Sequence, residues 1–219
     1  MRRDTVWHEL HDLMLEGSCP ICALVSKRLI SYMESILYEG INDPMIRKKL
    51  CEADGLCNTH AYQLLAKGDP LAHAIIYLDI IDNPMRKMEA APNSISIRHD
   101  KCLFCESVQH SESTYVRHFA ESISDEPFKK RYQEAGILCV HHYFTVVKLL
   151  KESNSAKFLM EATQEIYQGL IENLKEIRQK NDYRYSEEPW SPGARVAWKK
   201  AVSVINGFDG MKEDNINGK

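Results

Sequence analysis

Residues 19–22 read Cys-Pro-Ile-Cys, and residues 57–60 read Cys-Asn-Thr-His. Both motifs recur, as Cys-Leu-Phe-Cys at 102–105 and as Cys-Val-His-His at 139–142. The first motif returns after 83 residues and the second after 82. Two motifs that return at a nearly constant separation indicate an internal duplication.

Other residues keep the same register. Tyr32 and Tyr115 each lie ten residues after the second cysteine of their pair, and Pro44 and Pro127 each lie 22 residues after it. Cys51 has no counterpart in the other copy. Because free cysteine is among the most buried residue types, we interpret Cys51 as a core thiol and not as a ligand.

The duplicated motifs are typical of tetrahedral zinc sites, in which two short turns each present two ligands. We predict one Cys3His site per copy, with ligands Cys19, Cys22, Cys57 and His60 in the first and Cys102, Cys105, Cys139 and His142 in the second. His141 precedes His142, and the repeat spacing selects His142 as the ligand. The predicted cofactors are two zinc ions, and an iron–sulfur cluster on the same ligands is the alternative.

Two other interpretations of the cysteines are weaker. A thioredoxin-like redox pair needs a strand before its C-x-x-C motif, whereas residues 6–16 have a helical pattern. Disulfide bonds are opposed by the reducing poise of the cytosol, where we place this chain. Metal binding therefore explains the spacing best.

The apolar pattern is helical almost throughout, so we predict an all-α fold. No stretch keeps the alternation of a strand for long. Asp43-Pro44 is typical of a helix start, and Asp82-Asn83-Pro84 predicts a helix end. The predicted helices cover residues 6–16, 25–37, 44 to near 55, 61–66, 71–81, 103–122, 126–135, 142–150, 155–180 and 193–204.

The duplication predicts four segments. A first helical repeat covers 1–89 and a second covers 90–152, with a linker at 90–94. C-terminal helices at 153–207 are expected to pack on both repeats, and a flexible tail follows at 208–219. An apolar stripe on the long helix at 155–180 suggests a homodimer contact.

Charge and composition exclude several classes. The chain has 28 Lys plus Arg against 31 Asp plus Glu, which gives a net charge of −3 and no basic surplus for nucleic acid. No apolar run approaches the ~20 residues that cross a bilayer, and the N-terminus lacks a signal-peptide pattern. We therefore expect a cytoplasmic protein.

The combined motifs resemble an uncharacterised prokaryotic family, a domain of unknown function with repeated CPxC and GxCxxH motifs. The resemblance runs from the CPIC motif through GLCNTH, CLFC and LCVHH to the closing helix at 198–207. The second copy departs from the pattern, with Leu103 in place of Pro and with Gly136 one residue farther from its cysteine than Gly55 is. The resemblance implies metal ligation and assigns no activity.

The sequence leaves three classes of function open. The first is a binding or adaptor module with two structural zinc ions and a protein or small-molecule partner. The second is an iron–sulfur redox or electron-transfer protein. The third, a zinc enzyme, conflicts with four protein ligands per site, because catalytic zinc keeps one position open. No dinucleotide, phosphate-loop or hydrolase motif is present, so the sequence does not decide whether the protein is an enzyme.

Overall fold

The computed structural model describes residues 3–90, 102–182, 184 and 188–207. Its described residues form helices and connecting turns without any strand, so the all-α prediction is confirmed. The predicted linker beyond Ala90 and the predicted tail lie outside the described residues. The described residues contain ten α-helices: α1 (Thr5–Leu13), α2 (Pro20–Tyr38), α3 (Pro44–Glu52), α4 (Asn58–Ala66), α5 (Pro70–Ala90), α6 (Leu103–Ser122), α7 (Glu126–Ala135), α8 (Val140–Leu150), α9 (Asn154–Lys180) and α10 (Pro192–Asn206).

Side-chain caps fix where several of these helices begin. Asp43 accepts a hydrogen bond from the backbone N–H of Met45, with Pro44 in the first turn of α3, as predicted. Ser153 and Ser191 cap α9 and α10 in the same way. Such caps satisfy N–H groups that have no partner inside the helix.

Helix α5 corrects one prediction. The sequence predicted an end near Ile81, but α5 continues through Pro84 to Ala90. Proline removes one hydrogen-bond donor and favours a kink, yet it does not prevent a helix from continuing.

The duplication is visible in the helix starts. Helices α6, α7 and α8 begin 83, 82 and 82 residues after α2, α3 and α4. The C-x-x-C motifs lie at the starts of α2 and α6, and the C-x-x-H motifs lie at the starts of α4 and α8. Every pair of candidate ligands therefore occupies the N-terminal end of a helix.

The described residues form two compact units, and the division falls within α2 and α6. The first unit contains the described residues within 3–26 and 112–207, and the second contains those within 27–90 and 102–111. Each unit takes one end of α2 and the opposite end of α6. The four predicted segments describe the duplication along the chain and stay a prediction.

An aromatic cluster forms the centre of the first unit. Phe119 lies edge-on to Phe128 and Tyr132, with ring centroids 5.2 and 5.9 Å apart, and all three side chains are fully buried. The hydroxyl of Tyr132 lies 2.8 Å from that of Thr163 on α9, which satisfies both polar groups. Leu159 and Ala162 of α9 join this core, so part of the apolar stripe on α9 packs inside the unit.

The second unit has its own apolar core. The C-terminal half of α2 supplies Met33 and Ile36, α4 supplies Leu64, α5 supplies Ile76 and α6 supplies Phe104. Within the described chain, no helix has the length and apolar character that a membrane crossing requires.

Candidate metal centres

The first unit brings four candidate ligands together at the starts of α2 and α8. We call Cys19, Cys22, Cys139 and His142 the first cluster; their donor atoms all lie within 4.8 Å of one another. The Nδ1 atom of His142 lies 3.4, 3.2 and 3.2 Å from the Sγ atoms of Cys19, Cys22 and Cys139. The ring therefore faces three sulfur atoms at once.

The second unit repeats this arrangement at the starts of α4 and α6. We call Cys57, His60, Cys102 and Cys105 the second cluster, whose donor atoms also lie within 4.8 Å of one another. The Nδ1 atom of His60 lies 3.1, 3.6 and 3.3 Å from the Sγ atoms of Cys57, Cys102 and Cys105.

These groups correct the predicted pairing. The structure brings together all eight predicted residues, but each cluster combines the C-x-x-C motif of one copy with the C-x-x-H motif of the other. The reason is the length of the intervening helix. Helix α2 has 19 residues, so its two ends are about 28 Å apart. The chain leaves α2 in the second unit, which contains Cys57 and His60, whereas Cys19 and Cys22 belong to the first unit.

The distances within each cluster are close to the edges of a tetrahedron around one metal ion, with most nitrogen–sulfur distances somewhat shorter than the ideal edge. Bond lengths of about 2.3 Å to sulfur and 2.0–2.1 Å to nitrogen give edges of about 3.8 Å between sulfurs and about 3.6 Å between sulfur and nitrogen. The sulfur atoms of Cys22 and Cys139 lie 3.6 Å apart, and so do those of Cys57 and Cys105. A disulfide bond requires about 2.05 Å, so these cysteines are thiols. The donor sets therefore fit a single ion of zinc size in each cluster.

The two clusters differ in exposure. Cys19 and Cys139 are each 2% exposed and His142 is 4% exposed. In the second cluster Cys102 is fully buried, whereas Cys105 is exposed. Solvent and small molecules therefore reach the second cluster more readily.

The model of a family of unknown function, DUF6062, matches residues 8–212 of the chain. The chain belongs to this family. An uncharacterized 23.9 kDa protein in the xynA 3′ region of Caldicellulosiruptor sp. (strain Rt8B.4) is 29% identical to it over 196 residues, which cover 88% of this chain and 96% of that protein. The search of solved structures gives no match. The resemblance stated from the motifs is therefore confirmed.

Hydrogen bonds polarise the first cluster of this DUF6062 member. Burial raises the pKa of the Cys19 thiol well above its usual value. Hydrogen bonds from Cys19 and Cys22 lower the pKa of Cys139 far below the usual range. Burial lowers the pKa of His142, but hydrogen bonds with Cys139 and Cys22 outweigh it and raise the pKa to about 10. Protons and a metal ion compete for the same atoms, so binding a cation here releases protons.

The second cluster is also polarised. Burial raises the pKa of Cys102, but hydrogen bonds with His60 and with nearby backbone groups outweigh this effect and lower it to about 6. Burial and a hydrogen bond with Cys57 raise the pKa of Cys105 to about 12. One cysteine of the set therefore already favours the thiolate form that metals bind.

The structure adds a residue that the sequence analysis missed. Oε1 of Glu112 on α6 lies 2.9 Å from Nε2 of His142 and 3.0 Å from Nε2 of His141. The repeat spacing selected His142, and the structure places it in the cluster, while His141 is exposed beside it. No local pattern marks Glu112, because it lies 30 residues from His142 in the chain.

Gly136 lies in the turn between the end of α7 and Cys139. A Cβ atom on Gly136 would lie 2.8 Å from both the Cα and the carbonyl oxygen of Tyr132, so the turn after α7 has no room for a side chain. We expect Gly136→Ala to lower the free energy of unfolding by about 1–3 kcal/mol, because the backbone must shift. Denaturant titration measures the change.

The matched control is Gly169→Ala on the exposed face of α9, where a Cβ meets no atom within 4 Å. Alanine favours helix by up to about 1 kcal/mol over glycine, so this variant should be equal to or more stable than the parent. Equal stability of the two variants would contradict the proposed tight turn.

Proposed function

We propose that this protein binds two zinc ions, one in each cluster, and that both are structural. The observation that carries the proposal is the geometry of two Cys3His donor sets, each with its four donor atoms within 4.8 Å of one another. Three thiolates with one imidazole are ligands that zinc prefers.

The donor count supports a structural role. Catalytic zinc has three protein ligands and keeps the fourth position for water or substrate. Each cluster offers four protein donors and so closes the coordination sphere. Each also joins two helix starts that are far apart in sequence, as structural zinc sites do in small domains.

The geometry favours one ion over an iron–sulfur cluster. Ligands of a [2Fe–2S] or [4Fe–4S] cluster bind different iron atoms and are spread around a core of several atoms. Donor atoms within 4.8 Å of one another leave no room for such a core. The redox alternative is therefore the weaker proposal.

Because four protein donors fill the coordination sphere of each ion, we place the function on the protein surface, as expected for a binding or adaptor module. Helix α10 exposes Trp198, Val202 and Ile205, which are 54%, 59% and 66% exposed and share one helix face. Exposed Arg195 and Lys199 flank this stripe. Like charges on a second copy would repel, so the stripe fits an acidic amphipathic helix of a partner protein better. The homodimer contact on α9 stays a prediction.

A reducing compartment suits these sites, because zinc binds thiolates and not disulfides. We therefore propose a cytoplasmic location.

Elemental analysis with an absorption spectrum tests the metal assignment. Protein purified both aerobically and without oxygen is expected to contain two zinc ions per chain and to be colourless above 300 nm. Cobalt substitution should give the intense d–d bands of tetrahedral thiolate coordination. A brown anaerobic preparation with iron and sulfide would overturn the zinc proposal in favour of the redox one.

A further inference from the structure

We infer that Glu112 is a positioning residue that fixes the ring of His142 and makes the first cluster the slower of the two to exchange its metal. This inference rests on the proposed binding of one metal ion in each cluster. It adds that the duplicated sites have become unequal.

A hydrogen bond from His142 to Glu112 fixes the ring of His142. Because an ionised carboxylate only accepts hydrogen bonds, the 2.9 Å contact with Glu112 places a proton on Nε2 of His142. When metal binding displaces the other ring proton, the lone pair lies on Nδ1, the atom that faces the three sulfurs. Glu112 thus selects the tautomer that can bind a metal through Nδ1. Carboxylates that hold metal-bound histidines in this way raise metal affinity by about 10- to 100-fold.

The hydrogen bond between His142 and Glu112 is partly shielded from water. The side chain of His142 is 5% exposed and that of Glu112 is 32% exposed. The hydrogen bond therefore lies at the edge of the buried cluster, where water competes with it less than on an open surface. His141 also donates to this oxygen, but its side chain is exposed. Of the two rings, the contact with Glu112 therefore holds only that of His142 within the buried cluster.

The other copy of the duplication has no carboxylate at the position that corresponds to Glu112. The residue 83 positions before Glu112 is Leu29, which packs against the core of the second unit. The hydrogen bonds of His60 with other described residues all run from Nδ1 to the three cysteines of the second cluster. Its ring lies 5.8 Å from that of Phe104. Within the described chain, the second histidine therefore lacks the carboxylate that holds the first.

The difference in exposure should also make the second cluster exchange its metal faster than the first. Cys105 is exposed, so a chelator reaches the second cluster directly. Cys19, Cys139 and His142 of the first cluster are all buried. A variant that changes only Glu112 separates the effect of the carboxylate from the effect of exposure.

Metal release to a colorimetric zinc chelator tests the inference on the full-length zinc-loaded protein. We expect two phases, each of one zinc ion, of which Cys105→Ser removes the fast one. Glu112→Leu should accelerate the slow phase about 10- to 100-fold and leave the fast phase unchanged. Glu112→Gln, which keeps an acceptor oxygen without the charge, should give an intermediate rate. Glu121→Gln, which changes a solvent-exposed carboxylate on α6, is the control and should alter neither phase.

Nitrogen NMR of the histidine rings adds a readout that a merely structural effect would not move. Solvent exchange of the Nε2 proton of His142 should be faster in both Glu112 variants at unchanged helical circular dichroism. An unchanged slow phase in both variants, or acceleration of the fast phase alone, would overturn the inference while metal binding stands. Wild-type protein that binds no zinc would overturn the proposed function itself, so the two failures are distinguishable.

Discussion

Removal of both metal ions is expected to abolish most of the helical circular dichroism signal, with each unit unfolding cooperatively as it loses its ion. Structural zinc contributes about 10–16 kcal/mol of apparent binding free energy in small domains. The total stability of a domain is only about 5–15 kcal/mol. The free energy lost with the ion is therefore as large as the whole stability of a unit, and packing alone should not keep the unit folded. The effect should be large because each unit holds the starts of two helices through one cluster. Circular dichroism during titration with a strong chelator measures it.

Added zinc should restore the signal, which separates metal loss from irreversible damage. Magnesium at the same concentration is the control, because a hard cation prefers oxygen ligands and should restore nothing. Retention of the full helical signal and of the melting temperature after verified metal removal would contradict the structural role.

The second large effect concerns which motifs share an ion. We expect Cys22→Ala and His142→Ala each to lose one zinc ion, and the double variant to retain the other, because both residues belong to the first cluster. The double variant Cys22→Ala/Cys57→Ala should lose both ions, since it breaks both clusters. Zinc content per chain, measured on purified protein, distinguishes these results by a whole ion.

Pairing within each copy gives the opposite pattern. Cys22→Ala/Cys57→Ala would then retain one ion, and Cys22→Ala/Cys139→Ala would lose both. The exchanged pairing requires the latter variant to retain one. Cys51→Ala is the control, because Cys51 is half-buried and belongs to neither cluster, and it should retain two ions.

Local chemistry explains what the sequence predicted well. The helices follow from apolar periodicity and from caps such as Asp43 with Pro44, which act over a few residues. The eight cysteine and histidine positions follow from spacing alone, because each motif places two ligands on one helix start. The repeat spacing also selected His142, and not His141, as the ligand.

The pairing of the motifs depends on distance and was predicted wrongly. A helix of 19 residues is a rigid spacer, and the predicted site ignored that it carries the chain about 28 Å from Cys19. The long apolar pattern of α2 already indicated a helix of this length. Glu112 is harder to find, since it meets His142 only in the folded unit.

The exchanged pairing also affects the order of events during synthesis. Cys22 and Cys139 are 117 positions apart. At about 5–20 residues per second, the ribosome releases the first thiols roughly 6–23 s before their partners. Throughout that interval the nascent chain carries an incomplete binding site, so its early cysteines depend on a reducing environment until translation reaches the second half of the molecule.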